Sequence, residues 1–362
     1  MKNHKIFIAW IDHNRRSQLI AKKFQMPLYL VHALKRFYFL APLRYVLQTM
    51  RTVSILMHER PDVVFVQNPP IFAALVVYMY AKLFGAKFVI DSHTGALIAP
   101  WWKWTLPLHA FLSRRALFTL VTNAHLEDLV KAWGANTFIL ADIPTTFPQG
   151  TAYPVNGKFS LAVINTFSPD EPVEEVLAAA ADLPDVDFYI TGNLIRAKKS
   201  YLQEHPDNVT FTGFIPDDVY FGLLRSVEAI VVLTKDNHTM QRGACEAVSL
   251  GKPIITSKWP ILESYFNKGT IHVTNTAEGI REGVRAMQAE KQSLQEAILT
   301  LQQERRLEWE QKWLELNQRI DHGSARVEMQ KPGWREGVAS LAFIASVALI
   351  LRWFFNRVMM SR

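Results

Sequence analysis

Short apolar runs of strand length alternate with polar loops and helical segments along most of this 362-residue chain. In the first half, strands are predicted at residues 5–10, 63–66, 87–90 and 118–122, with helices at 28–58 and 71–83. In the second half, strands are predicted at residues 160–164, 187–191, 209–212, 229–233 and 254–256. This alternation is typical of a doubly wound, parallel α/β sheet. We therefore expect an α/β protein with two Rossmann-like domains that face each other across a cleft.

The domain limits follow from changes in composition along the chain. Residues 144–154 contain three prolines and few large aliphatic side chains, which predicts a linker. We expect an N-terminal domain at 1–145, a C-terminal domain at 146–305, a further helix at 306–320, a second linker at 321–333 and a final segment at 334–362. The helix at 306–320 carries one apolar stripe, formed by Trp309, Trp313, Leu316 and Ile320.

The final segment is apolar from Gly337 to Leu351 and then continues with Arg352 and Trp353. A membrane span needs about 20 residues, and this segment reaches that length only if Arg352 extends to the interface. We expect a single membrane-anchoring helix here. An anchor lying in the membrane plane and a buried docking helix are the alternatives.

Positive charge is concentrated in the first half of the chain. The formal net charge is +7, and residues 1–150 hold 17 Lys and Arg against 7 Asp and Glu, which leaves a net −3 for the remainder. Residues 101–104 (Trp-Trp-Lys-Trp) and the basic, aromatic stretch 28–58 suit a membrane interface. These features predict an anionic membrane surface as a partner. No motif that reads RNA or DNA is visible, so we expect no nucleic acid partner.

Compartment signals are few. The chain has one cysteine, Cys245, which excludes an internal disulfide. The apolar run that begins at Ile6 stops at Asp12, too early for a signal peptide. We expect a membrane-associated protein with catalytic domains on the cytoplasmic side.

The most informative stretch runs from Glu228 to Ser257 and reads as strand, loop, helix, strand. A helix that begins after a parallel strand offers its N-terminus to anionic ligands. Arg242 and Gly243 lie at this N-terminus and could neutralise a diphosphate, while Glu246 on the same helix could hold sugar hydroxyls. Arg196, Lys198 and Lys199 are alternative cations. A diphosphate held by a helix N-terminus and an arginine needs no metal.

A second candidate site is Asp91-Ser92-His93, directly after the predicted strand 87–90. Asp91 or His93 could deprotonate an acceptor hydroxyl or hold a leaving phosphate. The alternative is a turn that caps the next helix. Residues 164–172 allow the same two interpretations: a ligand contact, or a helix start in which Ser168 caps, Pro169 is the first helical residue and Glu171 completes a capping box.

Other patterns exclude functions. Asp185-Val186-Asp187 has the form of a metal-binding Asp-x-Asp motif, but it precedes its strand and so lies at the wrong end of a parallel sheet. No glycine-rich phosphate loop and no G-x-G-x-x-G motif follow the first strand. A P-loop NTPase and a dehydrogenase are therefore disfavoured.

Two sets of residues resemble known glycosyltransferases. Glu246 and Gly251-Lys252-Pro253 resemble the second half of the signature of family 4 glycosyltransferases, which have the GT-B fold; His238 stands where that signature begins with Glu. The strings FVIDSHTG (88–95) and FVQNPP (65–70) resemble chitobiosyldiphosphodolichol beta-mannosyltransferases, as does the Ser/Thr-rich turn before Asp170-Glu171.

The resemblance implies a metal-independent hexosyltransferase with no cofactor other than its nucleotide diphosphate sugar donor. It implies His93 and Asp91 as catalytic residues in an acceptor domain. It implies donor contacts in the second domain from Gly213, Phe214, His238, Arg242, Gly243 and Glu246, with the base against the strand-end Gly213. It further implies a helix at 306–320 that crosses back to the N-terminal domain, and a lipid-linked or membrane-bound glycan acceptor.

Two other functions remain open. A sugar-nucleotide 2-epimerase shares the fold, and a catalytically inactive scaffold protein is favoured by His238 in place of Glu. The stereochemistry of transfer is also open, because family 4 enzymes retain and the mannosyltransferases invert the anomeric configuration.

Overall fold

The structure is a computed structural model that describes residues 4–33, 41–142 and 144–325. These residues form two compact units. Unit 1 holds the described residues before 143 and those from Gln311 onward, and unit 2 is Pro144–Glu310. Each unit contains one six-stranded sheet whose strands are all parallel. The predicted α/β class with two Rossmann-like sheets is confirmed.

Unit 1 has the strand order β2-β1-β3-β4-β5-β6. Its strands are β1 (Lys5–Ala9), β2 (Leu28–Leu30), β3 (Val63–Asn68), β4 (Lys87–Ser92), β5 (Phe118–Val121) and β6 (Thr137–Ile139). Its helices are α1 (Arg15–Lys23), α2 (Ala41–Glu59), α3 (Ile71–Phe84), α4 (Thr94–Ile98), α5 (Leu106–Ser113) and α6 (Ala124–Lys131), with a 3-10 helix at Pro100–Thr105.

The core of unit 1 explains the apolar runs. All six residues of β3 are buried, and nine of the fourteen residues of α3 are buried against the sheet. Strands covered on both faces read as continuous apolar segments, as in other parallel sheets. The predicted helix at 28–58 is wrong at its start, since Leu28–Leu30 pairs with β1 as the edge strand β2. Three residues are too few to show a strand periodicity.

Unit 2 has the strand order β12-β11-β10-β7-β8-β9. Its strands are β7 (Phe159–Val163), β8 (Val186–Thr191), β9 (Val209–Gly213), β10 (Ala229–Val232), β11 (Ile254–Ser257) and β12 (Thr270–Val273). Its helices are α7 (Val173–Ala181), α8 (Lys199–Gln203), α9 (Asp217–Ser226), α10 (Arg242–Leu250), α11 (Pro260–Tyr265), α12 (Ala277–Ala289) and the first part of α13 (Lys291–Ala325).

The strand order of unit 2 is that of a dinucleotide-binding Rossmann sheet. The direction of chain progression reverses between β7 and β10, which are neighbours. Ligands of such sheets bind beyond the carboxyl ends of the strands at this switch point. The loops that follow β7 and β10 are therefore the first place to search for a site.

The predicted linker at 144–154 packs against α9 and belongs to unit 2. The rings of Phe147 and Phe221 stack at 4.2 Å, and the Thr151 amide donates to Asp218 O at 3.0 Å. A Cβ on Gly222 would lie only 1.6 Å from Thr151 O. This close approach requires glycine and fixes the segment in place, which a count of prolines could not reveal.

Helix α13 is continuous through Ala325, so the linker predicted to begin at residue 321 is wrong for its first five residues. In unit 2 the Arg305 guanidinium donates to Tyr265 O at 2.8 Å. In unit 1 the Lys5 ammonium donates to Asn317 Oδ1 at 2.9 Å, and the ring of Trp313 lies 6.2 Å from that of Phe24.

The predicted membrane segment at 334–362 lies outside the described residues. Within residues 4–33, 41–142 and 144–325, no helix combines the length and apolar character that crossing a bilayer requires.

Candidate functional site

The amino end of α10 meets the end of β7 at the switch point of unit 2. Helix α10 begins at Arg242, one residue after the start at Gln241 that the sequence predicts, and its C-terminal cap is Gly251 in the left-handed conformation (φ 65°). A Cβ on Gly243 would lie 3.0 Å from the Ile164 side chain, directly after β7. Glycine therefore allows the helix N-terminus to approach the strand end closely.

Glu246 lies one turn into this helix, and its side chain is 9% exposed. Its Oε2 accepts a hydrogen bond from the Tyr220 hydroxyl at 2.8 Å, and its Oε1 lies 3.3 Å from Arg242 Nε. The Arg242 side chain is 38% exposed. The carboxylate is thus oriented by a tyrosine and an arginine, and a cation stands beside the helix N-terminus.

In the loop after β7, backbone amides donate hydrogen bonds to the carboxylate of Glu171. Glu171 accepts from the amides of Thr166 and Ser168, each at 2.9 Å. Burial raises the pKa of Glu171, although these hydrogen bonds oppose the rise. The predicted capping box is wrong in part: the Ser168–Glu171 contact forms, but it closes a turn, and α7 begins later, at Val173 after Pro172. Pro172 explains the delayed start, because it has no N–H to donate and disfavours a helical backbone at the residue before it.

A chain of polar contacts ties the ends of four strands together. The Thr234 hydroxyl donates to Asp170 Oδ2 at 2.9 Å, and the Thr234 amide donates to Ser257 Oγ at 2.9 Å. Ser257 in turn donates to Asn275 Oδ1 at 2.7 Å. These side chains hold the loops after β7, β10, β11 and β12 in a fixed arrangement beside the switch point.

The other predicted donor residues are spread along the same edge of the sheet. Gly213 ends the edge strand β9 with φ 74°, and Phe214 after it is 86% exposed. Strand spacing puts β9 about 14 Å from β10, three strands away. His238 lies in the loop between β10 and α10. Of the alternative cations, Lys198 is paired with Glu174.

In unit 1, Asp91 is fully buried at the end of β4. Its oxygens lie 3.0 and 3.2 Å from Arg16 Nε, and the same guanidinium binds Asp142 at 3.0 Å and Leu140 O at 2.9 Å. Burial is the largest influence and opposes ionisation of Asp91, but Arg16 and His93 together outweigh it and hold the pKa of Asp91 well below its usual range. Asp91 is therefore a permanently charged, internal group.

His93 follows Asp91 and is 26% exposed. Its Nε2 atom is buried and lies 3.4 Å from Asp91 Oδ2, longer than a well-formed hydrogen bond. The solvent-exposed part of the His93 ring is therefore made up of its other atoms. Its backbone is extended (φ −75°, ψ 153°) and its amide donates to Asn68 O at 2.9 Å, so the residue is fixed at the ends of both β3 and β4.

Behind His93 lies a buried polar cluster of Asn68, Ser92 and His109. Ser92 Oγ is 2.8 Å and Asn68 Nδ2 is 3.1 Å from His109 Nε2. Burial lowers the pKa of His109 to about 3. The neutral imidazole connects the ends of β3 and β4 with α5.

The Asp-x-Asp string has a structural explanation. Asp185 precedes β8 at the amino end of the sheet, and its two oxygens bind Arg285 at 2.6 and 2.8 Å. In the described part of the chain, no group of three or more His, Cys, Asp and Glu side chains is placed to hold a metal ion.

Sequence reasoning missed Arg16, Asp142, His109 and Tyr220. Arg16 lies in the first turn of α1, in the polar, basic segment that follows the first strand, and this position is the only sign of its role in the sequence. Asp142 and Tyr220 reach their partners over 126 and 26 residues of chain, and a single sequence carries no mark of such contacts.

In a comparison with known families, residues 171–313 match a family model described as glycosyl transferase-like. A comparison with curated proteins finds no match. The matched segment contains β10, α10 and Glu246, whereas β7 and residues 164–170 of the loop after it precede the segment.

Solved structures of similar fold include HepE from Anabaena in complex with UDP-glucose, at 14% identity and TM-score 0.66, covering 87% of this chain and 99% of that one. Sucrose-phosphate synthase from Thermosynechococcus elongatus has 14% identity and TM-score 0.70, with 89% and 100% covered. A Listeria monocytogenes protein assigned as a UDP-N-acetylglucosamine 2-epimerase has 12% identity and TM-score 0.54, with 82% and 91% covered. At these identities the similarity establishes the fold.

Proposed function

We propose that this GT-B-fold, glycosyltransferase-like protein transfers a sugar from a nucleotide diphosphate sugar to a membrane-associated, lipid-linked acceptor. The observation that carries the proposal is the Arg242–Glu246 pair on α10. It lies at the switch point of a Rossmann-order sheet, where a cation, a helix N-terminus and an oriented carboxylate come together.

In unit 2 the donor diphosphate lies at the amino end of α10. Arg242 and the backbone N–H groups at the amino end of the helix balance its charge, so the leaving nucleotide is stabilised without a metal. Glu246 accepts hydrogen bonds from the ribose hydroxyls, since Tyr220 already fixes the direction of its carboxylate. The base lies toward Gly213, which ends β9 in the left-handed conformation.

In unit 1, His93 removes the proton from the acceptor hydroxyl. Asp91 lies beside Nε2 and favours the tautomer that carries the proton there, which leaves Nδ1 as the base. Because Arg16 keeps Asp91 ionised, the carboxylate also stabilises the imidazolium that forms. Asp91 thus acts through His93, and the 3.4 Å contact is expected to shorten when substrate binds.

The acceptor is membrane-associated in this proposal because unit 1 is basic and because the sequence predicts an anchor at 334–362. A lipid-linked acceptor carries a phosphate or pyrophosphate that a basic unit attracts. The catalytic units then lie on the cytoplasmic side of the membrane.

The first test is a donor screen by thermal shift with the full chain. A bound nucleotide sugar stabilises the folded state by mass action, so the correct donor should raise the melting temperature in a concentration-dependent way. Transfer to a lipid fraction is then followed with that donor in labelled form.

The second test is His93→Ala. Loss of a positioned base should lower the transfer rate by about two to four orders of magnitude while the donor-induced thermal shift remains. His58→Ala, at an exposed histidine of α2, is the matched control. Transfer by His93→Ala at the wild-type rate would refute the assigned base.

The same assays separate the alternative functions. An epimerase would convert the free nucleotide sugar without labelling lipid, and a scaffold protein would give neither donor binding nor transfer. An inverted anomeric configuration in the product would support direct displacement with His93 as base.

A further inference from the structure

The outward side of α2 in unit 1 is apolar over its first turns. Leu43, Val46, Leu47 and Met50 are all exposed, Met50 by 48%, at the spacing of one helical stripe. The opposite side of the helix is buried through Thr52 and Leu56. A surface helix of a globular protein normally presents polar side chains to water, so this helix has an apolar stripe without a covering element among the described residues.

Two tryptophans extend this apolar stripe. Trp101 and Trp104, in the 3-10 helix after α4, are 71% and 41% exposed. The ring of Trp104 lies 5.9 Å from that of Phe72, and Phe72 lies 5.2 Å from Tyr45 of α2. Because Trp104 and Tyr45 pack on the same buried phenylalanine, the two segments are neighbours. We name the six exposed side chains the α2–tryptophan face: Leu43, Val46, Leu47, Met50, Trp101 and Trp104.

The charges around this face have one sign. Arg44 and Arg51 lie on α2, and Lys103 lies between the two tryptophans. The only acidic residues from 41 to 126 are Glu59, Asp62 and Asp91. All three accept internal hydrogen bonds, from Tyr29, from the His4 amide and from Arg16 respectively. No carboxylate is therefore available on the face to pair with a basic partner.

We propose that the α2–tryptophan face docks unit 1 onto the surface of an anionic lipid bilayer. Exposed aliphatic side chains enter the acyl boundary, tryptophans favour the headgroup level, and arginine and lysine attract anionic headgroups. A second copy of the chain fits poorly, because a two-fold contact would bring like charges together. The proposal rests on the proposed function, since it brings the acceptor-binding unit to a lipid-linked acceptor.

Vesicle flotation of the full chain tests the face. Phosphatidylcholine vesicles are compared with vesicles that also contain phosphatidylglycerol. Met50→Asp and Trp101→Asp should weaken binding to the anionic vesicles at least tenfold, and Arg51→Glu about fivefold or more. Leu307→Asp is the matched control, because Leu307 is 66% exposed on α13 in unit 2. It should bind like the wild type.

A positional probe separates the face from residues 334–362, which could bind vesicles themselves. Met50→Cys and Leu307→Cys are each labelled with an environment-sensitive fluorophore in a Cys245→Ala background, which removes the buried native cysteine. The emission at position 50 should shift to the blue with anionic vesicles only, and the emission at 307 should not shift.

Three results would overturn the proposal. The first is full vesicle binding by Met50→Asp with no shift at position 50. The second is an equal shift with phosphatidylcholine alone. The third is a shift without vesicles that rises with protein concentration, which would show a contact between chains. Donor thermal shifts on the same variants test the proposed function separately, because failure of donor binding leaves the vesicle result intact.

Discussion

The burial of His109 leads us to predict that the free energy of unfolding falls in mild acid. Its imidazole is completely buried, hydrogen bonded to Ser92, and has a pKa lowered to about 3 from 6.5. In the unfolded chain the group titrates near its ordinary value. Between these two values the unfolded state binds more protons than the folded state, so the free energy of unfolding must fall as the pH falls.

The magnitude follows from the two pKa values. At pH 5 the unfolded imidazole is almost fully protonated and the folded one almost fully neutral, which removes about 2 kcal/mol relative to pH 7. His109→Gln keeps a neutral, hydrogen-bonding side chain and should lose this dependence. Its absolute stability is expected to be lower, so only the change between pH 7 and pH 5 is compared.

Urea unfolding at both pH values, followed by tryptophan fluorescence, measures the change. Hydrogen exchange of β3 and β4, measured by mass spectrometry at both pH values, shows whether the loss of stability occurs in unit 1. The difference between wild type and variant cancels the contributions of other groups. His58→Gln is the matched control at an exposed position. An equal pH dependence in wild type and His109→Gln would refute the reasoning that the buried imidazole stays neutral.

Three further substitutions test the packing and the donor site. Arg16→Met leaves the buried Asp91 carboxylate without its cation and should cost about 3–5 kcal/mol in urea unfolding. Gly222→Ala forces a Cβ into Thr151 O and should lower stability by at least about 2 kcal/mol. Glu246→Gln should weaken donor affinity about tenfold or more, measured by calorimetry, with little change in melting temperature.

Each of these substitutions has a control elsewhere in the chain. Arg306→Met replaces an exposed arginine, Gly95→Ala adds a Cβ with no heavy atom within 4 Å, and Glu282→Gln alters an exposed carboxylate. If Arg16→Met costs no more stability than Arg306→Met, the buried ion pair does not stabilise the fold. The same comparison of Gly222→Ala with Gly95→Ala tests the close approach, and that of Glu246→Gln with Glu282→Gln tests the donor contact.

Apolar runs in the sequence predicted most strands of both sheets, because strands buried on both faces are apolar throughout. The sequence did not predict β2, β6 and β12, which have three or four residues each and lie at sheet edges. The residues of β2 were instead assigned to the predicted helix at 28–58. The candidate site residues that the sequence predicts follow directly after strands, as His93 does, or begin a helix after a strand, as Arg242 does, and their roles stay predictions.

What the sequence by itself determined is therefore local: the α/β class, a helix that begins within one residue of Arg242 and stops at Gly251, and the charge excess of residues 1–150. The order of the strands was decided only in the tertiary structure, and with it the switch point between β7 and β10. The buried pairing of Asp91 with Arg16, 75 residues apart, was decided there as well. The physical reason is that local patterns depend on burial and backbone preference, whereas partners distant in sequence are selected by how complete elements pack against each other.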